Sequence, residues 1–238
     1  SEMGVSRYIK ENSLEKSIAK AKALTKKPIV SVGRFTSPDT MLYAIKNNIL
    51  DMIGAARPSI SDPFLPNKIL QRKFDDIREC IGCNICYAHN TLSVPIRCTQ
   101  NPTMGEEWRR GWHPENFISA KSQDKVLVIG TGPAGLEVSR VLGNRGFEVI
   151  VAEKLTNVGG RINLESKLPG LSEWSRVRDW RIGQLEKLTN VSIFLDSEMD
   201  EENVFDVDVN HIIVATGAEW ANDGIGRYND IPIEYSKE

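Results

Sequence analysis

The chain has 238 residues, of which 40% are hydrophobic and 26% are charged, and its formal net charge is −2. This length predicts one or two domains with enough chain for a hydrophobic core. Because no basic block stands out, the near balance of charge argues against a nucleic-acid-binding surface. No apolar run approaches the roughly 20 residues of a membrane span. The first residues also lack a secretory signal, so we expect a cytoplasmic protein.

Two helix–strand steps are predicted in the first part of the chain. Apolar residues recur at helical spacing over residues 14–24, and a short apolar strand follows at 27–33. A serine and a proline at the start of 37–50 are typical of a helix N-terminus, and 51–58 predicts a second strand. Strands that alternate with helices in this way predict a parallel α/β sheet.

The middle of the chain, residues 59–121, has a different pattern. It contains several prolines, all four cysteines and little sustained periodicity. A loop this long needs something to hold it, and a metal centre would serve. The α/β alternation then returns, with strands predicted at 125–130, 147–153, 191–195 and 211–217, and helices at 133–146 and 171–188.

The four cysteines have the spacing C-x2-C-x2-C-x11-C, at Cys80, Cys83, Cys86 and Cys98. In a cytoplasmic protein, clustered cysteines are more often metal ligands or redox thiols than structural disulfides. Structural zinc usually takes two separate C-x2-C pairs. Three cysteines in steps of three with a distant fourth fit the ligands of an iron–sulfur cube. The pattern therefore favours a [4Fe–4S] cluster, while zinc, free thiols or a disulfide stay open as alternatives.

A glycine motif, GTGPAG, contains Gly130, Gly132 and Gly135 and lies between a predicted strand and a predicted helix. Glu153 stands at the end of the next predicted strand. This context is the one in which a helix N-terminus binds pyrophosphate and a carboxylate binds a ribose hydroxyl. The motif therefore predicts a site for an adenine dinucleotide or ADP. Because an acidic residue disfavours a 2′-phosphate, NADP is not expected at this site.

Two shorter glycine motifs follow, GGR with Gly160 and Arg161, and ATG at residues 215–217. Each alone would be explained by turn glycines. Beside a dinucleotide motif, they are typical of flavoproteins with two dinucleotide domains, in which they approach FAD. We therefore add Gly160 and Arg161 to the predicted cofactor-binding residues.

Gly33 and Arg34 follow the first predicted strand, and Arg57 follows the second. Glycine and arginine in consecutive loops at the carboxyl ends of barrel strands can form a phosphate site, because backbone N–H groups and a guanidinium both point at it. Either arginine alone would more often be a surface ion-pair residue. Together, the three residues predict a phosphate site.

Several strings resemble the trimethylamine dehydrogenase family, which includes the dimethylamine and histamine dehydrogenases: KPIVSVGRFTSPDTM, DMIGAARPSISDPFLPNKI, DDIRECIGCNICY and CTQNPTMGEEWRRGWHPE. The resemblance covers essentially the whole chain, and it extends more distantly to 2,4-dienoyl-CoA reductase. It implies an Old Yellow Enzyme-type barrel that holds FMN, then a [4Fe–4S] cluster, then dinucleotide-fold domains.

The resemblance also implies a role for each predicted site. Gly33, Arg34 and Arg57 match the FMN-phosphate positions, and the four cysteines match the cluster ligands. The GTGPAG glycines and Glu153 match an adenine-nucleotide site, which holds ADP in the amine dehydrogenases and FAD in the reductases. In the amine dehydrogenases, electrons pass from the substrate to FMN, to the cluster and on to an electron-transferring flavoprotein. The full-length enzyme is expected to be a homo-oligomer.

The predicted fold class is α/β and consists of three parts. Residues 1–70 are expected to be the last two β/α steps of a TIM (β/α)8 barrel, 71–121 the cluster segment and linker, and 122–238 the first half of a Rossmann-like domain. Because a complete barrel takes about 250 residues, we expect an internal piece of a longer enzyme or a chain completed by a partner. No catalytic residue is assigned, and the chain alone is not expected to oxidise an amine. A non-catalytic nucleotide-binding fragment is the remaining alternative.

Overall fold

The computed structural model describes residues 4, 6–219, 221 and 225. The first part contains helix α1 (Glu15–Leu24), strand β1 (Val30–Ser31), helix α2 (Pro38–Lys46) and strand β2 (Met52–Ile53). The two strands are parallel, with Val30 opposite Met52 and Ser31 opposite Ile53. The predicted alternation is confirmed, but the strands are shorter than predicted. Each has only one neighbour in its sheet, and the ladder between them joins two residue pairs.

The core of this first part lies between the two helices and the strands. Its buried residues are Ile18, Phe35, Ala44 and Leu50. Val30, Val32 and Met52 remain more than half exposed, because they lie on the side of the strands that the helices do not cover. A complete barrel would bury such a side against further strands.

The segment 59–121 is less irregular than the sequence predicts. It carries α4 (Leu65–Leu70), a 3₁₀ turn (Phe74–Asp76), α5 (Ile85–Thr91) and α6 (Glu107–Arg110), and α3 (Arg57–Ser61) leads into it. The prediction of a long loop was therefore wrong at these positions. Helices of four to seven residues are too short to leave an apolar period in the sequence.

Protein contacts hold this segment. The buried carboxylate of Asp62 accepts hydrogen bonds from the Lys68 ammonium at 2.7 Å, the Arg78 backbone N–H at 2.8 Å and the Phe64 backbone N–H at 2.9 Å. Lys68 also pairs with Glu115 at the far end of the segment. A charge buried with this many partners fixes the path of the chain around it, since leaving any partner unpaired would be costly.

The last part contains a four-stranded parallel sheet. Its elements are β3 (Lys125–Ile129), α7 (Pro133–Arg145), β4 (Glu148–Ala152), α8 (Ile162–Glu165), α9 (Ser175–Leu185), β5 (Val191–Phe194), α10 (Asn203–Asp206) and β6 (His211–Val214). The predicted strands and the 133–146 helix are confirmed. The helix predicted at 171–188 is divided, because a 3₁₀ turn, Ser172–Trp174, precedes α9.

The strand order is β5-β4-β3-β6, with all neighbours parallel. The valines of β3 and β4 form the core of this sheet: Val126, Val128, Val149 and Val151. The chain order reverses beside β3, so a crevice opens between the carboxyl ends of β3 and β6, where doubly wound sheets bind ligands. No helix among the described residues has the length and apolar character needed to cross a membrane.

Candidate metal centre and nucleotide site

The four cysteines line one cavity, together with Arg57, Asn84 and Thr99. Cys80 and Cys86 are buried, Cys83 and Cys98 are partly exposed, and all four are free thiols. The chain between the first three turns sharply, because Gly82 and Asn84 both have left-handed φ angles of 65° and 61°. A side chain at Gly82 would lie 2.8 Å from the backbone nitrogen of Arg7, so glycine is required there.

Backbone N–H groups donate to three of the four sulfurs. Gly82 donates to Cys80 and Tyr87 to Cys86, while Cys98 receives two such bonds, from Gln100 and Asn101. The Cys83 sulfur lies 3.2 Å from the Thr99 hydroxyl. Donors of this kind stabilise negative charge on sulfur, and they are among the features that tune iron–sulfur clusters.

Ionising these thiols without a metal is unfavourable. Burial raises the pKa of Cys80 to about 11, and repulsion from Cys98 and Cys83 adds to this. Burial also raises the pKa of Cys86 and Cys98. Metal binding requires thiolates, and a cationic metal core supplies the charge that would make them stable. Four convergent thiols with N–H donors fit a [4Fe–4S] cluster, each sulfur binding one iron. Among the described residues, no group of three His, Cys, Asp or Glu is placed to hold a single ion.

The predicted phosphate residues lie against the cysteine loop. The Arg34 guanidinium donates to the Ile9 carbonyl at 2.9 Å, and Arg57 donates to the Asn84 side-chain oxygen. Arg34 is buried, and its Nε has no hydrogen-bond partner among the described residues. A buried guanidinium nitrogen without an acceptor fits a site for an anion. Local packing also accounts for the glycine at position 33, because an added Cβ would lie 3.0 Å from the Asn12 Cα.

The GTGPAG loop has the close packing expected of a dinucleotide motif. A Cβ added at Gly135 would lie 1.9 Å from the carbonyl oxygen of Gly130, whereas one at Gly132 would meet no atom within 4 Å. Helix α7 begins at Pro133, directly after Gly132. The third glycine therefore lets the helix pack against the strand, and the second leaves open space in front of the helix N-terminus, where a pyrophosphate binds.

Glu153 is buried at the end of β4 and holds the glycine loop. Its Oε2 accepts from the Thr131 N–H at 2.9 Å and the Thr131 hydroxyl at 2.5 Å, and its Oε1 accepts from the Leu155 N–H at 3.0 Å. Burial disfavours the charge on Glu153, but these hydrogen bonds outweigh it and lower the pKa below its usual value. Thr131 was not predicted from the sequence, because its role depends on a contact between two separate strand ends.

The GGR and ATG motifs reach the same crevice. A Cβ added at Gly160 would lie 3.1 Å from the Gly132 Cα, and one at Gly130 would lie 2.6 Å from the Ala215 carbonyl oxygen. Arg161 donates to the Ala218 carbonyl at 3.1 Å. The three glycine motifs therefore converge at the carboxyl ends of β3, β4 and β6.

A charged cluster that was not predicted from the sequence joins the cysteine segment to the last part of the chain. Arg181 on α9 forms an ion pair with Glu137 on α7 at 2.8 Å and donates to the Gln100 side chain at 3.0 Å. Arg78 and Arg140 complete the cluster. In the sequence the charges on α7 and α9 look like those of solvated helix faces, and Arg78 lies in a loop, so no local pattern indicates that they are buried.

The comparisons with known proteins agree with this architecture. Residues 5–76 match the NADH:flavin oxidoreductase / NADH oxidase family, and residues 124–229 match the pyridine nucleotide-disulphide oxidoreductase family. The dimethylamine dehydrogenase of Hyphomicrobium sp. (strain x) is 46% identical over 218 residues, which are 89% of this chain and 30% of that enzyme.

Two solved structures superimpose on nearly the whole chain. The 6-hydroxypseudooxynicotine amine oxidase of Pseudomonas geniculata N1 has a TM-score of 0.92 at 51% identity and covers 98% of this chain. The histamine dehydrogenase of Rhizobium sp. 4-9 has a TM-score of 0.92 at 48% identity and covers 96%. This chain spans 35% and 33% of those two chains.

The matches confirm the predicted fold class, a barrel part followed by a dinucleotide fold, and they support flavin binding. They also confirm the predicted resemblance, over about a third of the length of these relatives. This chain belongs to the family of the trimethylamine, dimethylamine and histamine dehydrogenases.

Proposed function

We propose that this chain carries the electron-relay part of an iron–sulfur flavoprotein amine dehydrogenase. The observation that carries the proposal is the convergence of four thiols on one cavity, between a flavin-family segment and a dinucleotide fold. We keep the division into a barrel part at 1–70, a cluster segment at 71–121 and a nucleotide domain from 122. Four free thiols suit a reducing compartment, which supports placing the protein in the cytoplasm.

In this proposal, the four cysteines hold a [4Fe–4S] cluster, which supplies one-electron transfer when bound. The backbone N–H groups that donate to Cys80, Cys86 and Cys98 stabilise the negative charge on the sulfurs. Cys80, Ile81 and Gly82 are buried, so this part of the loop would shield the Cys80 side of the site from water.

On the barrel side, Gly33, Arg34 and Arg57 bind the phosphate of FMN. Both guanidinium groups lie beside the loop that carries Gly82 and Asn84. This assignment therefore puts the flavin phosphate next to the cluster segment, which suits an electron path between the two cofactors.

On the nucleotide side, the loop that begins at Gly130 and the N-terminus of α7 bind the pyrophosphate of ADP or FAD. Glu153 accepts a ribose hydroxyl with lone pairs that its protein partners leave available, because a carboxylate accepts about four hydrogen bonds. Gly160 and Arg161 line the adjoining edge of the crevice. The remaining parts of the same enzyme and an electron-transferring flavoprotein are the proposed partners, and the full-length enzyme is proposed to be a homo-oligomer.

Anaerobic purification followed by assays of iron and acid-labile sulfide tests the metal centre. We expect about four iron and four sulfide per chain, as a [4Fe–4S] cluster contains. Zinc without labile sulfide would contradict the proposal. An aggregated chain that has lost both the metal and the nucleotide would favour a non-catalytic fragment instead.

A reductase role is the second candidate, because the two matched families are described by their NADH:flavin and pyridine-nucleotide chemistry. In such an enzyme, electrons run from NAD(P)H through FAD and the cluster to FMN and a double bond. Mass spectrometry of the nucleotide released on denaturation separates the two roles. ADP favours the amine dehydrogenase, and FAD favours the reductase.

Replacement of Glu153 by alanine is expected to weaken nucleotide binding by about tenfold or more, since a hydrogen bond to a charged group contributes about 1.5–3 kcal/mol. Iron content should not change, because Glu153 lies in the nucleotide site and not in the cysteine cavity. Equilibrium dialysis with ADP gives the affinity.

Thr131→Val is the matched control for that measurement. It removes the hydroxyl bond to Glu153 but leaves the carboxylate in place. If Thr131→Val weakens ADP binding as much as Glu153→Ala does, Glu153 acts by holding the loop and does not bind the ribose.

A further inference from the structure

The charged cluster defined above lies in the interior, between the cysteine segment and the nucleotide domain. Arg78, Arg140 and Arg181 are only 1%, 4% and 3% exposed. The guanidinium of Arg78 lies 4.2 Å from the ring centre of Trp180, and those of Arg140 and Arg181 lie 5.2 and 5.8 Å from it. Three buried arginines around one indole ring are costly to desolvate, so their burial calls for a partner of negative charge.

The carboxylates of the described residues supply too little negative charge for this cluster. Glu137 accepts a hydrogen bond from Arg140 at 2.6 Å and forms an ion pair with Arg181 at 2.8 Å. The nearby carboxylate of Asp62 is already paired with Lys68. Three guanidinium groups therefore share one glutamate, and Nε and Nη2 of Arg78 have no hydrogen-bond partner in the part of the chain that the structure describes.

The excess positive charge faces the fourth cysteine. Arg181 donates to both oxygens of Gln100, at 3.0 and 3.1 Å, and Arg78 lies 3.3 Å from the Asn101 side-chain oxygen. The backbone N–H groups of Gln100 and Asn101 in turn donate to the Cys98 sulfur. Gln100 and Asn101 therefore separate the two arginines from that sulfur. These four residues lie in the interior, where charges are weakly screened.

We propose that Arg78 and Arg181 compensate the negative charge of the iron–sulfur cluster at Cys98 and raise its reduction potential. This inference rests on the cluster proposed above. A cluster that accepts one electron becomes more negative by one charge, and a buried cation nearby stabilises that reduced form more than the oxidised one. Glu137 acts in the opposite direction, because its carboxylate offsets part of the arginine charge. None of the three lines the cysteine cavity, so each would act on the cluster through its charge and not as a ligand.

The test is a redox titration of the full chain with dithionite as the electron donor, followed by electron paramagnetic resonance of the reduced cluster. Arg181→Gln removes a cation and should lower the potential. Glu137→Gln removes the anion and should raise it. We expect each variant to change the ratio of reduced to oxidised cluster at a fixed potential about tenfold, which is about 59 mV for one electron.

Two control variants keep the test specific. Arg181→Lys retains the charge and should restore most of the potential even if it packs less well. Lys125→Gln removes a cation from an exposed ion pair with Glu148 and should leave the potential unchanged. If Arg181→Gln fails to fold, Glu137→Gln still tests the sign of the shift in reduction potential. Arg181→Lys still tests whether a positive charge at position 181 is enough to keep that potential.

The outcomes separate the two proposals. Wild-type protein without iron and sulfide overturns the cluster and this inference together. A loaded cluster whose potential is unchanged in both charge variants overturns the inference alone. Shifts of the same sign in Arg181→Gln and Glu137→Gln also overturn it, because they would point to altered solvent access.

Discussion

Cys83→Ala is expected to abolish cluster assembly, with iron and acid-labile sulfide falling to background. The variant removes one of four sulfurs that line the same cavity. One iron of a cluster bound by four thiolates would therefore lack its protein ligand. Folding should survive, because Asp62 and Lys68 hold the surrounding segment through protein contacts. Iron and sulfide per chain, measured anaerobically beside a circular dichroism spectrum, check both parts of the expectation.

Thr99→Val provides the matched control for that variant. It removes the hydroxyl that lies 3.2 Å from the Cys83 sulfur and keeps all four thiols. Its iron content should equal that of the wild type. A Cys83→Ala protein with full iron would mean that Cys83 is not a ligand and that the proposed ligand set is wrong.

Gly135→Ala is expected to lower the free energy of unfolding by about 3 kcal/mol. The added methyl group would lie 1.9 Å from the Gly130 carbonyl oxygen, which is backbone and cannot rotate away. Helix α7 would have to move off the sheet, and overpacking of this kind costs about 1–3 kcal/mol or more. Urea unfolding followed by fluorescence measures the change.

Gly132→Ala separates packing from ligand binding. An added Cβ there meets no atom within 4 Å, so the free energy of unfolding should change by less than about 0.5 kcal/mol. ADP affinity should still fall, since the methyl group would fill the space proposed for the pyrophosphate. Unchanged ADP affinity in Gly132→Ala would contradict the proposed position of the nucleotide.

The sequence predicts the parts of this fold that depend on local pattern. The strands of the nucleotide domain are short apolar runs between turn residues, and helix α7 begins with Pro133 and ends before Gly146. Such signals act within a few residues, so apolar periodicity and the residues typical of helix ends are enough to predict these elements. The short helices of 59–121 escaped prediction because one or two turns leave no period.

Contacts between residues that are far apart in the chain could not be predicted from the sequence. The spacing of the four cysteines indicates a shared site, but their roles as ligands stay a prediction. Nothing local indicates that Thr131 holds Glu153, or that Arg181 lies against Gln100, since these pairs are 22 and 81 positions apart. The burial of charged residues is set by tertiary packing, and a charge on a helix is indistinguishable in sequence from a solvated one.

The ion pair of Asp62 with Lys68 has a consequence for the order of events in the maturation of this protein. Because polypeptide contacts hold the segment around the cysteines, the proposed cluster is expected to enter a site that the folded chain already forms. A donor of iron and sulfide would then meet the partly exposed sulfurs of Cys83 and Cys98 first.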